Sequence, residues 1–419
     1  MPRVTALPAL VLLLAVLLRR PDLLYVAAPL ALAAALALVR RPSGSPKAEF
    51  GVSDEVPAEG ADLRAQVTVR GPDVMELVSV AIACPDWVRP PDRGGAAWVG
   101  LPQAGALTVG MPIRALRWGR QRVGPAVLTA TAAGGLLRHG PRQLPVVSVR
   151  VLPLSERYDA TVDVPQAPGV LGVHRSRRPG DGSELSGIRP FSTGDRLRRI
   201  NWRVSLRTGD LHVNATLSER DAEVVLLLDA RYDAGGSQGI TGQASGLDVG
   251  VRATAALARC YRRLGDRVGL VAHGERVRQV RSAAGRGQLF RLTAELLDVA
   301  APQVRVGEPE LVSPVGLDPR ALIVALSPLV GESVFARAAA LARAGHPVVV
   351  VDTLPADAGP AEQTEWTALA LRLWRLRRAD RIHRLGELGV PVVEWRGAGS
   401  LDAVLRDLAR FSTVPRVRR

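Results

Sequence analysis

Two long apolar runs at the start of the chain constrain its fold more than any other feature of the sequence. Val4–Leu18 is interrupted only by Thr5 and Pro8, and Leu23–Val39 follows without a charged residue. At a rise of about 1.5 Å per residue each run is short for a bilayer core of about 30 Å, but flanking arginines can extend to the headgroups. The pattern predicts a transmembrane helical hairpin over residues 1–42.

Two other structures are consistent with these runs. A signal peptide has one apolar stretch before a small-residue cleavage site, whereas here a second run follows the first at once. A helical hairpin buried in a protein core is the other alternative.

Positive charges around the hairpin indicate its orientation. Four of them flank the two ends and two lie in the connecting loop, so the positive-inside rule favours both ends in the cytoplasm. The cysteines Cys84 and Cys260 are too few for a disulfide framework, which agrees with a reducing compartment. We therefore expect a multi-pass protein of the cell membrane with its C-terminal bulk in the cytoplasm. The flanking residues are Arg3, Arg40, Arg41 and Lys47, and the loop residues are Arg19 and Arg20.

Residues 48–153 have the pattern of short strands. Apolar and polar residues alternate in segments that Pro and Gly separate, which is typical of strands and turns. Six strands without a helix predict a small β-sandwich. We expect this domain to act as a spacer or as a docking module. The strands are expected at 64–70, 75–83, 96–101, 107–116, 126–131 and 144–152.

In residues 221–419 strands alternate with helices. The continuous apolar run Glu223–Asp229 is typical of a buried parallel strand. The alternation predicts an α/β fold with a doubly wound parallel sheet, in which ligands bind beyond the carboxyl ends of the strands, here at Asp229 and Ser327. Helices are expected at 247–264, 288–300, 333–344, within 361–386 and at 401–411, and further strands at 267–272, 321–326, 347–352 and 391–394.

The segment between these modules, residues 154–220, carries the most specific pattern. From Gly187 onward, twelve residues have the order and spacing of a known family signature. They are Arg189, Phe191, Gly194, Asp195, Arg198, Ile200, Trp202, Ser205, Arg207, Leu211, Val213 and Glu219. With these residues the segment resembles the domain of unknown function 58 family, membrane-anchored proteins with a von Willebrand factor A-like fold. The layout of the whole chain also fits this family. One departure is Asn201, where the family commonly has Asp.

Within this segment the sequence predicts one capped helix. Asp195 ends a turn and is expected to accept the free amides of the first helical turn. Leu197, Ile200 and Val204 then form an apolar face, and we expect Trp202 to anchor packing rather than to bind a partner. A cationic ridge lies on another face, formed by Arg196, Arg199, Arg203 and Arg207.

Five arginines within twelve residues require acidic partners. These are either Glu219, Asp221 and Glu223, in an internal ion-pair network, or a foreign surface, and the sequence leaves both open. For the foreign surface, the candidate partner-binding residues are Arg189, Asp195, Arg198, Arg199, Trp202, Arg203 and Arg207.

The resemblance also implies a magnesium site, with an Asp-x-Ser-x-Ser sequence at the end of the first strand. At this place Asp229 is followed by Arg231 and Asp233, and a guanidinium opposes a divalent cation. Ser327 stands where the fold has a later acidic ligand. We predict a degenerate metal site in which Arg231 pairs with Asp229 or Asp233, and in which neither a metal nor another cofactor binds.

No enzymatic activity is expected. The sequence contains no Walker A loop, dinucleotide-binding glycine pattern, HExxH or GxSxG motif. Because the family is associated with MoxR-type AAA+ ATPases, the resemblance implies an interaction protein that acts beside such a motor in protein complex assembly or maturation.

The alternative is an arginine-rich surface for nucleic acid or anionic lipid. The net charge is +15. No known nucleic-acid reader motif appears, and anionic lipid at about 1 kcal/mol per arginine explains the same residues. We expect a protein partner and membrane lipid, and no nucleic acid. The arginines concerned are Arg372, Arg375, Arg377, Arg378, Arg381 and Arg384.

Overall fold

Backbone contacts divide the chain into two compact units. One comprises Met1–Leu154 with Gly239–Thr241, and the other Ser155–Gln238 with Gly242–Arg419. The computed structural model describes residues 2–39, 44–71, 75–91, 97–100, 106–154, 179–192, 197–217, 223–263, 265–301, 317–319, 321–356, 358–359 and 366–395.

A pair of helices begins the first unit, α1 (Pro2–Leu17) and α2 (Asp22–Val39). α2 has a mean hydropathy of 2.1 over 18 residues and only 17% of it is buried, so it is long and apolar enough to cross a membrane. A signal sequence has the same properties. The apolar part of α1, Ala6–Leu17, is shorter than a span. The predicted helix pair is confirmed, and within the described residues one member has spanning length.

The rest of the first unit consists of antiparallel sheets. Their orders are β1-β2-β6-β4, β5-β3-β8-β9 and β10-β7. Alternate residues of both four-stranded sheets, such as Val67 and Val80, point into one apolar core. The strands are β1 (Lys47–Val52), β2 (Asp62–Arg70), β3 (Met75–Ile82), β4 (Val88–Arg89), β5 (Ala97–Gly100), β6 (Ala106–Ala115), β7 (Gly119–Val123), β8 (Ala126–Ala132), β9 (Leu137–Leu144) and β10 (Val147–Val151).

The second unit opens with a two-stranded antiparallel sheet that brackets a helical turn. β11 (Pro179–Pro190) pairs with β12 (His212–Leu217), with Arg189 opposite Val213. Between them lie a 3₁₀ turn, Leu197–Arg199, and the short helix α3 (Trp202–Thr208). The predicted single helix is therefore divided in two.

A six-stranded, mostly parallel sheet follows. Its order is β15-β14-β13-β16-β17-β18, and only the edge strand β15 is antiparallel to its neighbour. The strands are β13 (Glu223–Asp229), β14 (Arg267–His273), β15 (Val277–Ala283), β16 (Leu322–Ser327), β17 (Val348–Asp352) and β18 (Val392–Glu394).

Four helices accompany the sheet and cover both of its faces. Leu227 packs in a cluster with Leu341 and Leu385 of two of these helices. Its neighbour Leu228 points the other way, towards Gly250, where an added Cβ would approach Leu228 Cδ1 to 3.0 Å. The predicted helix at 401–411 lies outside the described residues. The helices are α4 (Gly246–Arg263), α5 (Arg286–Leu296), α6 (Ser333–Arg343) and α7 (Thr367–Glu387).

Candidate functional site

The backbone around α3 is fixed by a cap at each end. Asn201 Oδ1 accepts a hydrogen bond from the amide of Val204 at 3.2 Å, and Gly209 ends the helix with a left-handed φ of 81°, which glycine adopts without strain. The observed cap is therefore Asn201, and the predicted cap, Asp195, lies outside the described residues.

Asn201 also ties α3 to β12. Its Nδ2 donates to Asn214 Oδ1 at 2.8 Å, a bond that a carboxylate at this position has no proton to form. Buried Ser205 adds a second tie, because the amide of His212 donates to its Oγ at 2.9 Å. The departure from the family pattern at Asn201 thus has a local structural use.

The exposed side of α3 corrects two predictions. Trp202 is 61% exposed and Leu197 is 69% exposed, so neither packs as expected. The reason is that the helix restarts at Trp202, which breaks the register from Leu197 to Val204. Ile200 and Ser205 are buried instead, while Leu206 is 83% exposed. Trp202 and Leu206, at positions i and i+4, therefore share one solvent-facing patch.

Arginines surround this patch. Arg203 and Arg207 are exposed and form no ion pair with any residue that the structure describes. Arg199 is half-buried, and Arg189 donates to the carbonyl oxygen of Pro190 at 3.1 Å. Of the predicted internal partners, Glu219 and Asp221 lie outside the described residues, as do Arg196 and the side chain of Arg198. We call Trp202, Arg203, Leu206 and Arg207 the α3 patch.

At the carboxyl end of β13, Arg231 pairs with Asp229, one of the two partners that the sequence left open. Arg231 Nε donates to Asp229 Oδ1 at 2.8 Å, and the two side chains are 7% and 0% exposed. Ser327 Oγ donates to the other oxygen, Oδ2, at 2.8 Å. Both oxygens of Asp229 are therefore occupied by donors of the protein.

The remaining residues of the predicted metal site also have structural partners. Asp233 Oδ1 accepts a hydrogen bond from the amide of Leu247 at 3.3 Å, in the first turn of α4. The Ser327 hydroxyl accepts one from the amide of Leu329 at 3.0 Å. Because the Arg231 guanidinium lies against Asp229, these residues do not fit a magnesium ion. No group of three or more His, Cys, Asp or Glu in the described parts of the chain is arranged to hold a metal.

A second feature at the same edge of the sheet was not predicted. A cavity of about 890 Å³ lies beyond the ends of β17 and β18, bounded by α4 and α7. Asp352 and Glu394, which are opposite each other on the two strands, line it together with Arg378. We call this cavity the Asp352 pocket.

Asp352 is held at the base of this pocket. It is 6% exposed, its Oδ1 accepts the amide of Leu354 at 3.0 Å, and its Oδ2 pairs with Arg378. Burial raises the pKa of the Asp352 carboxyl, although Arg378 acts in the opposite direction. The sequence signal was present, since Asp352 ends an apolar run as Asp229 does, but Arg378 is 26 residues away.

Comparison with known proteins finds a family match over part of the chain. Residues 187–359 match the family described as "Protein of unknown function DUF58". Uncharacterized proteins of Mycobacterium tuberculosis and Mycobacterium bovis are 35% identical over 122 residues, which is 28% of this chain and 37% of each relative. The match thus spans little more than a third of these relatives.

Similarity to solved structures is weak. The cupredoxin domain of amoB from Nitrosocaldus yellowstonii has a TM-score of 0.18 at 15% identity, over 26% of this chain and 88% of that one. A non-cellulosomal cohesin from Archaeoglobus fulgidus has a TM-score of 0.19 at 12% identity, over 25% and 91%. At these scores neither supports an argument about this chain.

Proposed function

Because residues 187–359 match the DUF58 family, we propose that the chain is a membrane-anchored, non-enzymatic interaction protein that docks on a protein partner through the α3 patch. The partner class that we propose, from the association of this family, is a MoxR-type AAA+ ATPase. The role that follows is in the assembly or maturation of protein complexes.

The observation that carries this proposal is the exposure of Trp202 and Leu206. Trp and Arg are the residues most enriched at binding hot spots, where an apolar anchor fills a pocket of the partner and charges surround it. In the α3 patch, the two apolar side chains are 61% and 83% exposed and lie beside Arg203 and Arg207. The patch therefore suits a partner with an apolar depression and an acidic rim.

The hydrogen bonds around Asp229 support the proposed absence of enzymatic activity. We call the site formed by Asp229, Arg231 and Ser327 the Asp229 crevice. Asp229 is the buried carboxylate at the end of the central strand, and both of its oxygens accept hydrogen bonds from Arg231 and Ser327. A general base or a metal ligand needs an oxygen that can reach a substrate proton or an ion. We therefore propose that this crevice is structural.

The fold and the proposed location rest on two further features. The sheet order, the antiparallel edge strand β15 and helices on both faces agree with a von Willebrand factor A-like fold. The membrane anchor rests on the helix pair α1–α2, with α2 of spanning length. The charge distribution around the pair supports a cytoplasmic position for the rest of the chain.

Co-purification tests the docking proposal. The full chain, extracted in mild detergent, is expected to retain a co-expressed MoxR-type ATPase. Trp202→Ala with Leu206→Ala should reduce the retained ATPase at least tenfold, because the anchors are lost. Phe290→Ala is the matched control, since Phe290 is 78% exposed on α5 of the same unit. Equal retention by all three proteins would contradict the proposal.

One observation supports a second candidate function, contact with anionic lipid through α7. Four large apolar residues on its outer side follow one another at intervals of three, four and three residues, and they are 50% to 70% exposed. Residues 367–379 contain four arginines and no acidic residue. Apolar and cationic side chains together are typical of helices that lie on membranes. The apolar residues are Trp366, Leu369, Leu373 and Leu376.

Thiol labelling in nanodiscs tests this second candidate. A cysteine introduced as Leu373→Cys should be protected from a water-soluble reagent in anionic nanodiscs and labelled in zwitterionic ones. Val277→Cys, at a position 51% exposed on the edge strand, should be labelled in both. Equal labelling of Leu373→Cys in the two lipids would contradict lipid contact.

A further inference from the structure

The Asp352 pocket has the size and position of a ligand site. Its volume of about 890 Å³ falls in the range of small-molecule sites, about 300–1,000 Å³. It lies beyond the carboxyl ends of parallel strands, where open α/β sheets bind ligands. It is also separate from the Asp229 crevice, whose Asp229, Arg231 and Ser327 are not part of its lining.

Among the described residues of the lining, the charged groups leave one positive charge in excess. Arg252, Arg375 and Arg378 face two carboxylates, Asp352 and Glu394. Arg378 forms an ion pair with Asp352. Arg375, in contrast, is exposed and forms no ion pair within the described part of the chain. An exposed guanidinium that forms no ion pair with a described residue is suited to bind a carboxylate, through two parallel hydrogen bonds.

The other walls are apolar. Trp395 is 8% exposed, and Trp374 is half-buried with the Arg378 guanidinium 5.9 Å from its ring centroid. Leu354 and Ile382 contribute aliphatic side chains to the lining. Aromatic and aliphatic walls around a few polar groups favour a ligand with an apolar body.

From these observations we propose that the Asp352 pocket binds a small organic monocarboxylate with an aromatic or aliphatic body, whose carboxylate is held by Arg375. One negative charge on the ligand matches the single excess charge of the described lining residues. A phosphate dianion would exceed that charge and would meet Asp352 and Glu394 at close range. The proposal is independent of docking through the α3 patch.

Three probes of one shape test the charge that the pocket selects. Phenylacetate, phenylacetamide and phenethylamine share a ring and a short chain and differ in carrying a negative, a neutral and a positive group. Binding to the full chain in detergent is measured by saturation-transfer NMR and calorimetry. Phenylacetate should bind at least fivefold more tightly than phenylacetamide, and phenethylamine should bind most weakly.

Two neighbouring arginines provide the site control. Arg375→Ala should weaken phenylacetate binding at least fivefold and leave phenylacetamide binding unchanged. Arg377→Ala should change neither, because Arg377 is also exposed on α7 but is not among the lining residues. The proposal is overturned if phenylacetate does not bind at millimolar concentration, if phenethylamine binds more tightly, or if the two variants behave alike.

Discussion

Two strand ends of one sheet carry the same pair of side chains and differ in what surrounds the pair. At the end of β13, Asp229 pairs with Arg231, two residues later, and both are almost completely buried. At the end of β17, Asp352 pairs with Arg378, which comes from α7, and the pair borders a cavity of about 890 Å³.

The difference follows from the connection between the partners. Arg231 is only two residues from Asp229 and donates to one of its carboxylate oxygens, and Ser327 donates to the other. The Asp229 side chain is therefore 0% exposed. Arg378 comes from α7 and pairs with Asp352 through one Nη atom, and residues of α7 and of the ends of β17 and β18 line a cavity together. The same ion pair therefore closes one crevice and lines an open pocket at the other.

The largest effect that this comparison predicts is at Asp229. Asp229→Ala leaves the Arg231 guanidinium buried without its carboxylate, which costs about 3–5 kcal/mol. Hydrogen exchange of the β13 amides in the full chain measures this loss as a local opening free energy. Replacing both residues, as Asp229→Ala with Arg231→Met, should restore part of the loss, and a double variant as unstable as the single one would contradict the pairing.

A smaller loss is predicted at the open pair. Arg378→Met should lower the opening free energy of β17 by about 2 kcal/mol at neutral pH, because side chains that are 15% and 7% exposed retain some contact with water. Hydrogen exchange of the β17 amides gives the value. If this loss of opening free energy equalled that of Asp229→Ala, the buried Asp229–Arg231 pair and the Asp352–Arg378 pair at the cavity would not differ in the way proposed.

This second loss should depend on pH. Burial already raises the pKa of Asp352 in the folded chain, and removal of Arg378 raises it further. An acid with a raised pKa in the folded state stabilises the fold below its unfolded pKa of about 3.9, and this stabilisation is lost as the pH rises through the folded pKa. The Arg378→Met loss should therefore shrink from pH 7 to pH 4, and a loss that is constant with pH would disprove the assignment to Asp352.

The smallest effect is the response to metal. Millimolar Mg²⁺ should leave the melting temperature of the parent chain unchanged, because Arg231 lies where the ion would need to bind Asp229. Arg231→Ser removes this guanidinium, and its melting temperature should rise on addition of Mg²⁺. Stoichiometric micromolar binding of Mg²⁺ or Mn²⁺ to the parent chain, seen by calorimetry, would show that the Asp229 crevice is a metal site.

The sequence predicted those parts of the fold whose signals are local. Continuous apolar runs such as Glu223–Asp229 identified the buried parallel strands, and helical spacing identified the helices between them. The edge strand Val277–Ala283 was not predicted, because it is exposed along much of its length and has no continuous apolar run. The strand Leu137–Leu144 contains Gly140 and Pro141, which favour a turn in isolation.

For the candidate sites too, the sequence predicted contacts between residues that are close in the chain, and it did not predict contacts that depend on packing. Asp229 and Asp233 each lie two residues from Arg231, so the sequence predicted that Arg231 pairs with one of them, and the structure shows the pair with Asp229. The partnership of Asp352 with Arg378 depends on how α7 packs, and so does the Asp352 pocket. The exposure of Trp202 depends on where α3 restarts, which the hydrogen bonds of Asn201 to Val204 and Asn214 determine.

Docking through the α3 patch can be tested by site-specific photo-cross-linking in cells that express the full chain. A photoreactive residue is placed at position 206, where Leu206 is 83% exposed, and at position 290 as a control, where Phe290 is 78% exposed. We expect a cross-link to a MoxR-type ATPase from position 206 and none from position 290. No cross-link from position 206, or equal cross-linking from both positions, would contradict this docking.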